Sequence, residues 1–125
     1  MKILPDTHTL VWGLEDAPPL SKAARKILIE SEVVVSVASL WELLLKKDKR
    51  DALVTDPLTW WGNYVIKTNL PVVGIRQSHV IEVGRLPPIH RDPFDRILIA
   101  QSIVEKIPLV SMDRQLSRYG VQVLW

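Results

Sequence analysis

Short apolar runs rich in branched side chains alternate with segments of helical period along the whole chain, and this alternation most restricts the fold. Residues 2–4, 33–37, 72–75, 109–112 and 121–124 are runs of strand length, apolar enough to be buried on both faces. Helical patterns separate them. Residues 7–14 form the first, ending at the breaker Asp16-Ala17-Pro18-Pro19. Leu20, Ala24, Ile27 and Leu28 recur behind Ser21, an N-cap with Leu20 placed as a staple, in a helix that stops near Ser31. A helical stretch starts at Ser39, and another follows Asp56-Pro57 with Leu58, Trp61, Tyr64 and Val65 on one face. Residues 77–86 make a shorter helix. Asp92-Pro93 opens a strongly periodic one, with Ile97, Ala100, Gln101 and Val104 along a stripe. Parallel neighbours need crossover connections, so the pattern predicts an α/β fold: a mainly parallel central sheet flanked by helices on both faces, a Rossmann-like three-layer sandwich. Ligands in such folds bind beyond the carboxyl ends of strands.

At 125 residues and 47% apolar content the chain suits one domain spanning residues 1–125. It contains no run of about 18 apolar residues and no basic-apolar-small progression of a secretory signal. The expectation is a soluble, cytoplasmic protein with no membrane partner. With no cysteine, any metal must be held by oxygen or imidazole.

Four acids fall at one edge of the expected sheet. Asp6 ends the first strand, Glu42 lies one turn into the helix after the second, Asp95 sits in the first turn of its helix, and Asp113 follows a late strand. Carboxylates gathered in this way raise one another's pKa unless a cation intervenes, and magnesium prefers such oxygen ligands. Setting these four aside from the 14 acids leaves 10 against 16 Lys and Arg, a basic exterior around an acidic pocket that suits a phosphate-backbone substrate. Each acid also has a structural role open to it. Asp6 is positioned to cap a helix, Ser39 and Glu42 have capping-box spacing, Asp92 and Asp95 fit an N-cap and third position around Pro93, and Asp113 fits a turn before Arg114. Convergence of the four carries the argument.

The segments Asp6-Thr7-His8-Thr9-Leu10-Val11-Trp12, Val35-Ser36-Val37-Ala38-Ser39-Leu40-Trp41-Glu42 and Arg91-Asp92-Pro93-Phe94-Asp95-Arg96-Ile97-Leu98-Ile99-Ala100-Gln101, with Pro108-Leu109-Val110-Ser111-Met112-Asp113 and Tyr119-Gly120-Val121, resemble successive signatures of PIN-domain proteins. The likeness is greatest to toxins of the VapC type. The resemblance implies a PIN-like fold and an endoribonuclease that uses Mg²⁺ or Mn²⁺, the toxin component of a toxin-antitoxin pair, with Asp6, Glu42, Asp95 and Asp113 as its acidic pocket. Asp6 and Asp95 would be the main metal ligands, Glu42 would complete the metal shell or orient water, and Asp113 would act through water or position a second ion. Ser111 would add a hydroxyl to the network, and Asp92 fits a cap better than a ligand. A cognate antitoxin and a homodimer are also implied. Pro5 departs from the pattern: it lacks the N–H of the usual apolar residue, is expected to end the first strand one residue early, and threatens the placement of Asp6.

His8, His79 and His90 share no metal-ligand spacing, so imidazole ligation is not expected, and His8 is placed in a loop or against the first helix. Lys46, Lys47, Lys49 and Arg50 read as a solvated helix end. Arg91, Arg96, Arg114 and Arg118 lie nearer the acidic edge as candidates for RNA phosphates, with Arg96 and Arg114 able instead to neutralise acids. Trp60 and Trp61 are about 100° apart on a helix, so one is expected to be partly exposed and available to a partner. An aspartyl phosphatase would need a second acid where His8 stands. A catalytically silent PIN module that binds RNA or a protein partner is the alternative that stays open.

Overall fold

The computed structural model describes all 125 residues. Strands and helices follow as β1 (Lys2–Pro5), α1 (Thr7–Glu15), α2 (Lys22–Glu30), β2 (Glu32–Val33), β3 (Val35–Ser36), α3 (Val37–Lys46), α4 (Pro57–Trp61), β4 (Val72–Val73), α5 (Gln77–Arg85), α6 (Pro93–Glu105), β5 (Leu109–Val110) and β6 (Val123–Leu124). Every strand pairing is parallel, in the order β2-β1-β5-β6 with β3-β4 paired separately. Successive strand residues point to opposite faces. Ile3 and Val110 accordingly pack on Leu20 and Ala24 at the start of α2, while Leu4 and Leu109 pack on Leu98 and Ile99 of α6. Helices therefore cover both faces of the sheet, as expected from the alternation.

The segment expected as one strand over residues 33–37 is two, because the chain changes partner at Val34. Ile3 O accepts from Val34 N, but Val35 N turns instead to Pro71 O beside β4. That change explains Pro5. Leu4 N and Asp6 N donate to β5, at Pro108 O and Val110 O, so the nitrogen of residue 5 faces the opposite side, where β2 has already left. Proline removes a donor that has no acceptor there. The strand therefore runs through Pro5 rather than ending before it, in register with Val110, and Asp6 stays attached to the ladder.

The two tryptophans also depart from expectation. Both are buried, Trp60 at 7% and Trp61 at 6% exposure, in one cluster with Leu10, Val11, Val35, Leu43, Val54 and Val65. The short α4 is covered by α1 and α3 and also by the segment around Leu53 and Val54, so two directions lead into the core. Trp60 Nε1 donates to Glu15 at 2.9 Å. Beyond Trp61 the helix widens into a π-helical turn, Gly62–Ile66; Trp61, Tyr64 and Val65 of the expected stripe join the cluster, while Leu58 is 67% exposed. The exposed tryptophan is Trp41 on α3.

One buried polar joint ties the layers together. Ser36 Oγ donates to Gln101 Oε1 at 2.5 Å, and Gln101 Nε2 donates to Gly74 O at 3.2 Å. Replacing Gln101 by Leu leaves the buried Ser36 hydroxyl without its acceptor and unties α6 from the β3-β4 pair, and should cost about 1–3 kcal/mol in denaturant unfolding. An unchanged unfolding midpoint would mean that the joint contributes nothing.

Candidate active site

The carboxyl ends of β1 and β5, the later turns of α3 and the first turn of α6 meet at one cleft of about 230 Å³, whose lining includes Asp6, Glu42, Asp92, Asp95 and Asp113. The four acids singled out in the sequence are thus brought together, with Asp92 as a fifth. Asp6 caps α1, its Oδ1 accepting from Thr9 N at 2.9 Å, while its Oδ2 accepts from Ser111 Oγ at 2.5 Å. Ser111 Oγ in turn accepts from Asp113 N at 3.0 Å. This buried serine, just beyond β5, therefore reaches Asp6 across 105 residues of sequence separation and ties it to the backbone of Asp113. Asp113 also caps the 3₁₀ turn Arg114–Tyr119 by accepting from Gln115 N.

Glu42 has lost its purely structural explanation. The cap of α3 is Ser36, which accepts from Ala38 N, so the expected Ser39–Glu42 capping box does not form, and Ser39 Oγ accepts from Thr7 Oγ1 instead. Glu42 is 6% exposed, and its hydrogen-bonding partner is Lys46 Nζ at 2.6 Å. Asp92 does act as a cap, its Oδ1 accepting from Phe94 N and Asp95 N. Asp95 stands at the third position of α6, where its carboxylate reaches the cleft.

Two residues not expected at the site, Lys46 and His90, face the acids of the cleft. Lys46 is one helical turn beyond Glu42, and its ammonium also lies 3.8 Å from Asp92 Oδ2 and over the Phe94 ring. The Glu-to-Lys i,i+4 spacing was the signal available for it. His90 has no such spacing. Its Nδ1 accepts from Asp92 N at 3.2 Å, which leaves Nε2 as the protonated nitrogen of the neutral ring, 3.4 Å from Asp95 Oδ2 and 3.5 Å from Asp113 Oδ2. The backbone N–H of His90 is held by Tyr119 Oη at 2.6 Å. His8 sits on α1 with its ring edge-on to Trp12 and lines the same cleft.

Burial, then the charge of Asp92, pushes the Asp95 carboxyl from 3.8 up to about 7; His90 opposes the rise, and Asp6 and Glu42 add to it. Burial works to lower the Lys46 pKa, but its hydrogen bond to Glu42 and the charges of Glu42, Asp92 and Asp95 outweigh that and raise it above 10.5. The cleft is therefore short of positive charge.

Of the four arginines, Arg91 and Arg114 are exposed next in sequence to Asp92 and Asp113 of the cleft, and Arg118 is exposed as well. Arg96 is not available to a phosphate: its guanidinium donates to the carbonyls of Val83, Leu86, Pro87 and His90, fastening the end of α5 and the following loop to α6. Neither Arg96 nor Arg114 pairs with an acid, and Lys46 and His90 do so in their place.

The sequence pattern of the PIN domain matches residues 3–122. The chain belongs to the PIN domain family. Its fold is similar to those of chains in the DNA-bound VapBC of Salmonella typhimurium (TM-score 0.70, 18% identity, 98% of this chain and 96% of that one) and VapBC2 of Rickettsia felis bound to a promoter DNA fragment (0.67, 15%, 98% and 97%). A toxin-antitoxin complex from Klebsiella pneumoniae is similar as well (0.63, 14%, 92% and 89%). No curated protein matches in sequence. No helix is long and apolar enough to cross a membrane.

The donor set of this PIN domain fits a hard divalent cation. Its carboxylate oxygens converge with the Lys46 ammonium as their counter-charge, and ligand atoms of His90, Asp95 and Asp113 lie within 4.8 Å of one another. Thr9 Oγ1, buried at the same cleft, has no hydrogen-bonding partner. Oxygen-rich sites of this kind suit Mg²⁺ or Mn²⁺.

Proposed function

We propose that this protein is a Mg²⁺- or Mn²⁺-dependent endoribonuclease of the VapC type, the toxin of a toxin-antitoxin pair acting in the cytoplasm. The observation that carries the reading is the convergence of Asp6, Glu42, Asp95 and Asp113 in one cleft, with Ser111 fastening two of them. In this reading Asp6 and Asp95 hold the cation, Glu42 completes its shell or orients the attacking water, and Asp113 acts from the far wall. The bound cation supplies a water of lowered pKa and offsets charge on the phosphate oxygens. Arg91, Arg114 and Arg118 attract the RNA backbone toward the acidic cleft. The likeness to chains of VapBC complexes supports a cognate antitoxin as partner; the protein acts as a homodimer in this reading, and the exposed Trp41 and Leu45 on α3 offer apolar surface for assembly.

Chelator-treated protein, free of antitoxin, should cut members of a panel of structured RNAs once Mg²⁺ or Mn²⁺ is restored. Folded protein that cuts nothing under either metal would favour a silent module that binds RNA or a protein partner. Ser111→Ala should lower cleavage about 10- to 100-fold by releasing Asp6 and Asp113 from their common hydroxyl. Full activity in that variant would show that Asp6 needs no such support.

A further inference from the structure

Lys46 is the last residue of α3 and the first of the basic cluster there, and its ammonium lies at the acidic cleft. Its ammonium is 2.6 Å from Glu42 Oε2 and 3.8 Å from Asp92 Oδ2, and the Phe94 ring lies 5.6 Å beneath it. Glu42 is nearly buried and has no other hydrogen-bonding partner, so the lysine supplies the countercharge that a buried carboxylate requires. Lys46 also lines a second, neighbouring cleft with Glu42, Thr7, His8, Lys49 and Asp51. An ammonium that leaves Glu42 therefore has a place to go by rotation of its own side chain, without movement of α3.

We propose that Lys46 is a resident counter-ion that competes with the divalent cation for Glu42, holding the cleft together without metal and swinging into the neighbouring cleft when metal binds. The inference rests on the reading of the cleft as a divalent-cation site. It gives Lys46 a positioning role that works against metal affinity and for the metal-free fold. A lysine that only decorated the surface would do neither. A lysine that held Glu42 in its ligating position would do the opposite.

Titration of free Mn²⁺ by its electron paramagnetic resonance signal separates these roles without RNA or turnover. Lys46→Met keeps the length of the side chain and removes the charge. It should bind Mn²⁺ about tenfold more tightly than wild type and should melt several degrees lower without metal, with the deficit shrinking at saturating Mn²⁺. Lys49→Met removes a nearby charge that touches no acid, and should change Mn²⁺ affinity less than about twofold. Lys46→Arg, which keeps a competing cation, should not bind more tightly than wild type. Equal changes in the Lys46→Met and Lys49→Met variants would reduce the effect to general charge and overturn the proposal, as would weaker binding by Lys46→Met. If Lys46→Met does not fold without metal, the Lys46→Arg and Lys49→Met comparison still decides, since tighter binding by the arginine variant contradicts competition. Wild-type protein that binds no Mn²⁺ would instead refute the cation-site reading itself.

Discussion

Asp6→Asn is expected to reduce metal-dependent RNA cleavage by at least about 100-fold while leaving the melting temperature close to that of wild type. The two oxygens of Asp6 are engaged in separable tasks. Oδ1 caps α1 through Thr9 N and Oδ2 meets Ser111 Oγ. Asparagine keeps a carbonyl oxygen for the cap, and its amide can donate to Ser111 once that hydroxyl rotates. What asparagine cannot supply is the negative charge. Asp6→Ala should lose the cap as well, at a further cost of about 1 kcal/mol. Cleavage assays and thermal melts on the two variants therefore test whether the catalytic and structural roles reside in different oxygens. Substantial activity in Asp6→Asn would remove Asp6 from the metal site, and a large stability loss in the same variant would mean that its charge, not its cap, holds β1 to α1.

Much of this site was legible from local rules. An aspartate that closes a short apolar run and opens a helical pattern must lie at the carboxyl end of its strand, which placed Asp6. Asp92-Pro93 announced the start of α6 and hence the position of Asp95. What escaped depends on chain segments that meet only in three dimensions. His90 reaches Asp95 and Asp113 because Tyr119, 29 residues away, holds its backbone, and because Arg96 secures the loop before it. No periodicity encodes such a loop. The burial of both Trp60 and Trp61 required knowing that the 53–54 segment folds over α4, and the division of the 33–37 run required knowing that β4 competes with β1 for the same strand. Pro5 looked like a threat to the site for a related reason. Its missing donor matters only on the side facing a neighbour, and the sequence does not show which side that is.

Asp95→Asn should do two opposite things: abolish metal-dependent cleavage and raise the stability of the metal-free protein above pH 7. The folded protein holds the Asp95 carboxyl at about 7 against 3.8 for the unconstrained group. Between those values the unfolded chain has released its proton and the folded chain has not, so stability falls as pH rises through this window and the loss is complete above pH 7. Glu105, whose pKa is lowered by hydrogen bonds from His79 and Arg76, acts below 4.5, and Lys46 acts above 10.5. The range from pH 5 to 8 is therefore governed by Asp95 among the shifted groups. The rise corresponds to at most about 4 kcal/mol, and with a quarter of the side chain in water about 1–2 kcal/mol is expected. Wild-type protein in chelator should accordingly melt a few degrees lower at pH 8 than at pH 5.5, and Asp95→Asn should flatten that slope. Mg²⁺ should stabilise wild type more at pH 8, where no proton has to leave before the cation binds, and should have little effect on the variant. The decisive comparison is the pH dependence of the melting temperature in the two proteins without metal. Parallel curves would show that the burial of Asp95 and the charges around it do not set this pH dependence, and a variant less stable than wild type at pH 8 would mean that its carboxylate is satisfied in the metal-free fold.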